Sequence, residues 1–296
     1  MKKSIFFGAL ICALLAMFAS CSNPSGENGS GDAGDGGRTP VSGMIGKYAS
    51  PYIVGDIVFN DGSATPYEEI IARTEDDSET GAKITKAEKD AAIAVIFYVG
   101  TGLNSDVNGV ANTTTIRTLG VGLKHNRSGL AWCPYSALAN DTNITTIQCP
   151  ASGSAGALTF SKDKDGSDNL EQIAKFLNDA DGVNDDTATK ANYPAFYFAK
   201  EYSTEATNLG TYSTDWYLPT IAELFAIWKV KASVDAASAL CGGSQFGDSW
   251  YWSSSQYASR DDNDNAYFLS FDCGGWGFGN KSSYDDHYVC AVRAFN

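Results

Sequence analysis

A chain of 296 residues holds 35 acidic and 21 basic side chains, a net charge of −14, and 43% hydrophobic residues. Such an acidic balance leaves no basic footprint for a nucleic acid and no charge attraction to an anionic lipid surface. The roughly 250 residues that follow the amino-terminal segments suffice for one large domain or two small ones, and no second low-complexity break divides them, which favours one.

Lys2 and Lys3 precede an apolar run from Ile5 to Ala19, followed by Ser20 and Cys21. A charged start, a short apolar stretch and small residues before a cysteine make a bacterial lipoprotein signal over 1–21, with Cys21 as the lipidated first residue of the exported chain. The run is too short to span a bilayer. The expected membrane partner is therefore engaged through acyl chains on Cys21, which bury enough methylenes for stable anchoring. Residues 22–43 are nearly all Gly, Ser, Asn, Asp and Pro and contain no aromatic residue. Such a segment cannot bury enough surface to order itself, and its flexible coil spans roughly 25 Å, a tether. The predicted domain is 44–296.

Within it, Lys47–Phe59 reads as an opening strand or two, and Asn60-Asp61-Gly62 is a hairpin-turn signal. Thr65–Arg73 and Thr85–Ala92 are short helical candidates. Ala91–Val99 (AAIAVIFYV) is a buried strand, and Leu119–Leu123 another. Gly120-Val121-Gly122 lacks the spacing and the following helix of a phosphate loop. Asp163–Asn169 (DKDGSDN) has the look of a calcium loop. In that register, however, Asp168 stands where Gly is needed and Ala174 where Glu is needed. It reads better as a helix start, with Asp168 as N-cap, Glu171 three residues on, and Ile173, Phe176 and Leu177 on one face. Asn178–Asp186 reads as a solvated acidic loop, and Tyr193–Ala199 (YPAFYFA) as an aromatic strand or core packing. Thr220 and Glu223 form a capping box for a helix over Ile221–Val230, with Leu224, Ile227 and Trp228 inward. Ser253–Ser255 read as satisfying backbone groups near a turn.

Five cysteines lie beyond Cys21: Cys133, Cys149, Cys241, Cys273 and Cys290. An odd number leaves at least one unpaired, for which Cys273 is the choice. Cys133–Cys149 and Cys241–Cys290 are possible pairs, though connectivity is not legible from spacing. No CxxC or histidine-rich spacing supports a metal site, and no cofactor is expected.

From Trp250 onward the pattern changes. Tyr267, Leu269 and Phe271 alternate with Phe268, Ser270 and Asp272, a strand with one buried and one free face. Polar runs Ser259–Asn265 and Ser282–His287 and a glycine run Gly274–Gly279 surround it, and Tyr288–Phe295 closes the stretch as a terminal strand. From Tyr257 on there are six Asp and no Glu, Gln, Met, Ile, Pro or Thr. Almost every polar position holds a residue with a codon of form NNC or NNT. Large apolar anchors hold a frame and display Asp, Ser, Gly, Tyr and Phe, a layout suited to recognition.

WYLPTIAEL at Trp216–Leu224, YWSSS at Tyr251–Ser255, NAY at Asn265–Tyr267 and VCAVRAF at Val289–Phe295 resemble the C-type-lectin-like domain of the formylglycine-generating-enzyme subtype. VGDIVFNDGS at Val54–Ser63 extends the likeness more weakly. Within that group the chain looks like the variable lipoproteins of the Treponema variable-protein family, diversified by a retroelement through adenine-targeted mutagenesis of Asn codons. The resemblance implies an α+β fold, one domain with small antiparallel sheets, a few helices and much irregular loop. It further implies a surface-displayed lipoprotein of the bacterial outer membrane. Such a protein binds a protein or glycan outside the cell through a hypervariable region at about 257–290, and is not an enzyme. Lys281 and Trp276 become fixed scaffold positions, since this mutagenesis yields neither Lys nor Trp.

Outward alternation picks Phe268, Ser270 and Asp272 as ligand contacts. The resemblance adds Arg260, Asp261, Asp262, Asp264, Cys273, Gly274, Phe278, Ser282, Tyr284, Asp285 and His287. Trp276 reads equally as the floor of the site or as a core residue.

Three other readings share the fold. A fixed-specificity adhesin differs only in lacking a diversifying template. A calcium-dependent lectin would use Asp261, Asp262 and Asp264, but the tripeptides Glu-Pro-Asn, Gln-Pro-Asp and Trp-Asn-Asp of classical calcium sites are absent. A formylglycine-generating oxidase is echoed by Cys241-Gly242-Gly243-Ser244 and Cys290. In that enzyme, however, the paired cysteines stand close together, whereas Cys273 and Cys290 are seventeen apart here. His125 and His287 are the only candidates for a histidine base, and no GxSxG elbow exists.

Overall fold

The computed structural model describes residues 38–105, 108–181, 191–257, 262–283 and 287–296. The signal with Cys21, and most of the tether, lie outside the described residues. A compact unit runs from Thr39 to Asn296. It mixes helices with small antiparallel sheets, and none of its described helices is long and apolar enough to cross a membrane.

The hairpin forms where expected. Strand β1 (Asp56–Phe59) pairs antiparallel with β2 (Ala64–Pro66), and Gly62 takes the left-handed φ of 88° that the turn needs. Helix α1 (Tyr67–Ile71) follows directly. Thr85 and Glu88 close a capping box on α2 (Lys86–Ala91), and the Glu88 carboxylate also receives both arms of Arg73 at 2.7 and 2.6 Å. The apolar run is β3 (Ala92–Gly100), followed by β4 (Arg117–Gly122), a small hairpin β5 (Ala151–Ser154) with β6 (Ala157–Phe160), and α3 (Asn169–Asp181). Then come α4 (Pro194–Lys200), α5 (Tyr202–Glu205), α6 (Ile221–Lys229) and α7 (Lys231–Leu240). Last are β7 (Trp250–Gln256), β8 (Asn265–Ser270), β9 (Gly275–Asn280), β10 (His287–Tyr288) and β11 (Val292–Ala294).

One sheet has the order β11-β4-β3-β1-β2 and is antiparallel throughout; the other has the order β10-β7-β8-β9, with β10 parallel to β7. Residues Tyr288–Phe295 are thus not one terminal strand. The chain leaves the second sheet after Tyr288, bridges Asn126 at Val289 and enters the first sheet at Val292. These few residues tie the two sheets together.

Several other expectations are corrected. YPAFYFA packs in the core, as one of its two readings had it, but as helix α4 and not a strand: Pro194 sits in its first turn, where a missing N–H and a fixed φ cost nothing. Its Phe196 meets the Trp132 ring edge-on at 4.8 Å. Helix α3 starts one residue after Asp168, behind a 3₁₀ turn over Gly166–Asp168 whose cap is Asp165, accepting from Ser167 N at 3.0 Å. Asp168 instead takes a bond from Gln172. Residues 178–181 finish that helix rather than opening a loop, and 182–186 lie outside the described residues. Helix α7 had no sequence expectation. Ser253–Ser255 lie buried in β7, not near a turn, although they do serve backbone groups: Ser253 Oγ donates to Tyr267 O and Ser255 Oγ accepts from Ile221 N. Neither possible disulfide forms; all five cysteines are free.

The capping box read at Thr220 and Glu223 is built, while the one on α2 had no expectation beyond a helix. Thr220 and Glu223 open α6 with Leu224 and Ile227 in the core, while Trp228 is only half-buried and stacks on Phe225. Glu223 does more than cap. Its carboxylate also receives Tyr217 Oη at 2.7 Å and faces Arg117, whose guanidinium reaches Asp165 at 2.8 Å, Leu103 O and Tyr217 Oη. Burial pushes Glu223 up to about 7 even against the pull of Arg117. Beside it, burial pushes Asp163 up to about 8.

Candidate ligand-binding face

Strand β8 is the frame predicted, with an addition. Tyr267, Leu269 and Phe271 enter the core shared by the first sheet with α6 and α7. The opposite face is not free throughout, because a second cluster lies behind it. Phe268, expected to point at a ligand, is 7% exposed and packs among Trp252, Trp250 and His287. His287, expected on a displayed loop, is likewise buried, stacked on Trp252 at 4.1 Å. Only Ser270, half-buried, and Asp272, exposed, continue the outward row.

The glycine run explains where the Phe268 ring goes. Residues 275–280 are not loop but strand β9, with Gly277 paired to Phe268 and Gly279 to Ala266. A methyl on Gly277 would overlap the Phe268 ring, so alternate glycines make the bed on which it lies. Gly274 is buried by the Trp228 ring and is no contact residue. On the other face of β9, Trp276 and Phe278 are paired with Leu269 and Tyr267 but run past the core at the edge of the sheet. Phe278 is 43% exposed and stacks on Tyr257 at 4.0 Å; Trp276 is half-buried, packed edge-on to Tyr267 at 5.6 Å. Trp276 is thus packed against the core while one part of it stays open to solvent.

Other residues expected in the site are partly committed to the frame. Asp264 accepts from Asn280 Nδ2 at 2.6 Å and Asn265 Nδ2 at 3.1 Å, while its carbonyl receives Lys281 N. Ser282 gives both its N–H and its hydroxyl to Asn280 Oδ1. Cys273 is half-buried and Asp262 exposed. Arg260, Asp261, Tyr284 and Asp285 lie outside the described residues. Among the described residues no three His, Cys, Asp or Glu side chains converge in a metal-holding group.

Two residues near this edge had no expectation. Trp250, 44% exposed, lies tilted against Phe268 at 4.7 Å on one side of the sheet, and Tyr257 extends the aromatic edge on the other. The alternation of Trp250, Tyr251 and Trp252 contains the signal, since Tyr251 is the one on the core side.

Lys281, fixed scaffold by resemblance, lies beneath. It is fully buried, donates to the carbonyls of Ala139, Asn140 and Asn263 at 2.6, 3.3 and 2.7 Å, and stands 5.0 Å from the Trp132 ring centroid. Burial lowers it to about 8. It holds the segment before β8, the residues after β9 and the 3₁₀ turn Leu138–Asp141 in one arrangement. The groups that echoed an oxidase are elsewhere. Cys241 and Cys290 are buried thiols, the first pushed up to about 12, and His125 is packed between Phe246 and Tyr251.

No family model and no curated protein matches the chain. Among solved structures it is similar to a fimbrial protein from Bacteroides ovatus, at 14% identity with a TM-score of 0.46. The match covers 81% of this chain and 48% of that one, so the chain spans about half the length of that protein.

Proposed function

We propose that this chain is a lipid-anchored surface protein that binds a protein or glycan through the β8–β9 face. Its body is taken as a C-type-lectin-like domain of the formylglycine-generating-enzyme subtype, and its face as diversified by a retroelement. The observation that carries the reading is the aromatic edge of Tyr257, Trp276 and Phe278, set beside β8, whose core side is fully packed. Rigid aromatic rings give contact area at low entropic cost, and neighbouring Asp and Ser side chains give orientation, as in antibody paratopes. The acidic balance of the chain speaks for basic or neutral partners and against nucleic acid. No group is assigned to catalysis, and no cofactor enters.

Sequencing the DNA on either side of the gene tests the diversification. A near-copy of the codons for 257–290, differing only at template adenines and lying near a reverse transcriptase, is expected. Its absence leaves a face of fixed specificity. Cys21→Ala tests the anchor: the variant is expected to move from the detergent phase to the aqueous phase on phase partitioning. A variant that still partitions with detergent overturns lipidation at Cys21.

A further inference from the structure

Strand β9 ends its sheet: β8 pairs with one edge, and among the described residues nothing pairs with the other. The alternation of bonds in an antiparallel ladder determines which groups that edge offers. Lys281 N donates to Asp264 O, so the pair Asn265 and Asn280 is a non-bonded one. It follows that Gly275, Gly277 and Gly279 turn their N–H and C=O groups to β8. Trp276 and Phe278 turn theirs outward.

An open edge of this kind is usually blunted by a charge, a proline or a bulge within the strand. Here the sequence is Gly-Trp-Gly-Phe-Gly-Asn, with none of these. Its register against β8 is continuous over six pairs. One face of the strand carries no side chains of its own, and the other carries the two aromatic rings. A guest strand laid along this edge would complete the outward bonds of Trp276 and Phe278 and rest alternate side chains against those rings. Carboxylates stand at both ends, Asp272 in the turn into the strand and Asp262 and Asp264 beside its far end, in a chain of net charge −14. A basic segment fits this setting best.

We propose that the outer edge of β9 takes up an extended basic segment of a partner protein as a further strand of the sheet, with alternate side chains of that segment seated on Trp276 and Phe278. This rests on the ligand-binding reading of the same face and narrows its partner to a polypeptide. It is independent of diversification. Main-chain bonding supplies affinity for any extended chain, and the rings and carboxylates select among sequences.

The test uses the full chain in detergent, panned with a phage-displayed library of random 12-residue peptides. Selected peptides are synthesised in two forms, N-methylated at either the odd or the even amides. One form is expected to bind roughly tenfold or more weakly and the other nearly unchanged, because only every second amide of a guest strand faces its host. Binding is expected to weaken at high salt, where the carboxylates are screened. In hydrogen exchange, the Trp276 and Phe278 amides are expected to be open in the free chain and protected by peptide, with Gly277 protected throughout. Several results overturn the proposal: no peptide selected, equal effects of the two methylation patterns, or Trp276 and Phe278 amides already protected in the free chain. Protection that instead grows with protein concentration, without peptide, assigns the edge to a second copy and also overturns it. If Phe278→Ala abolishes peptide binding while neither methylation pattern matters, the face binds ligand but the edge does not, so the two readings fail separately.

Discussion

Arg117 and Lys281 are both buried cations, 6% and 0% exposed, and their surroundings differ in kind. Arg117 meets opposite charge: Asp165 at 2.8 Å and Glu223 at 3.6 Å, with Tyr217 and a carbonyl filling its remaining donors. Lys281 bonds only to dipoles, three backbone carbonyls beneath an indole ring; the carboxylates of Asp264 and Asp141 act on it from a distance, and neither is a buried charge that depends on it. Arg117 lies under the capped start of α6, Lys281 under the candidate ligand-binding face. A cluster of mutual charges holds its partners in place only while every member is present. A cation among carbonyls instead gathers separate backbone segments and carries no partner charge to strand.

The largest expected effect breaks the first arrangement. Arg117→Leu leaves Asp165 and Glu223 buried without a cation and is expected to cost about 3–5 kcal/mol in urea unfolding. Lys281→Met, which removes the donor from three carbonyls but strands no charge, is expected to cost about 1–3 kcal/mol. If it costs as much as Arg117→Leu, the distinction drawn here is wrong.

Titration sharpens the contrast. Lys281 is lowered to about 8 from the ordinary 10.5. Between those values the unfolded chain holds the proton that the folded chain has lost, so stability rises with pH there, by at most about 1.4 kcal/mol per unit. Buried thiols and phenols, raised by burial, lower the stability of both chains over this range, so the rise is read as the stability of the parent relative to Lys281→Met, which should grow from pH 8 to 10.5. Arg117, raised above its already high ordinary value by its acidic neighbours despite burial, contributes no such slope.

The smallest effect on stability belongs to the aromatic edge. Phe278→Ala is expected to shift unfolding by no more than about 0.5 kcal/mol, as a half-exposed ring should, while removing ligand binding. A variant that unfolds easily would make Phe278 a core residue.

The parts of this molecule legible in its sequence are those whose determinants are local. The Thr220–Glu223 capping box and the Asn60–Gly62 turn involve residues within four positions of each other, and both formed as read. The inner row of β8 was legible because period-two alternation is local too. The other row was not, because Phe268 is covered by Trp250, Trp252 and His287 and lies on glycines of the next strand. Only the alternate glycines hinted at a ring needing room. For α4 the core-packing reading held and the strand reading failed, since aromatic content favours strands, whereas Pro194 in the first turn and the packing on Trp132 decided for helix. Lys281 was marked only through resemblance; two of its carbonyls stand more than 140 residues away. Within the candidate site, exposure follows from the edge position of β9, and strand order is not written in any one stretch.

The passage of residues 287–294 from one sheet to the other also bears on how fast the chain folds. Strand β11 lies against residues 119–121, and β10 against 250–251. The second sheet closes within residues 250–288, but the first cannot complete its order until β11 reaches β4, a contact spanning well over a hundred residues. Such long-range pairing is slow to form, on the order of milliseconds to seconds for β-rich domains, because loop closure must precede any gain from it. A chain that completes itself so late remains extended and threadable for longer, an asset if it must cross a membrane before it folds.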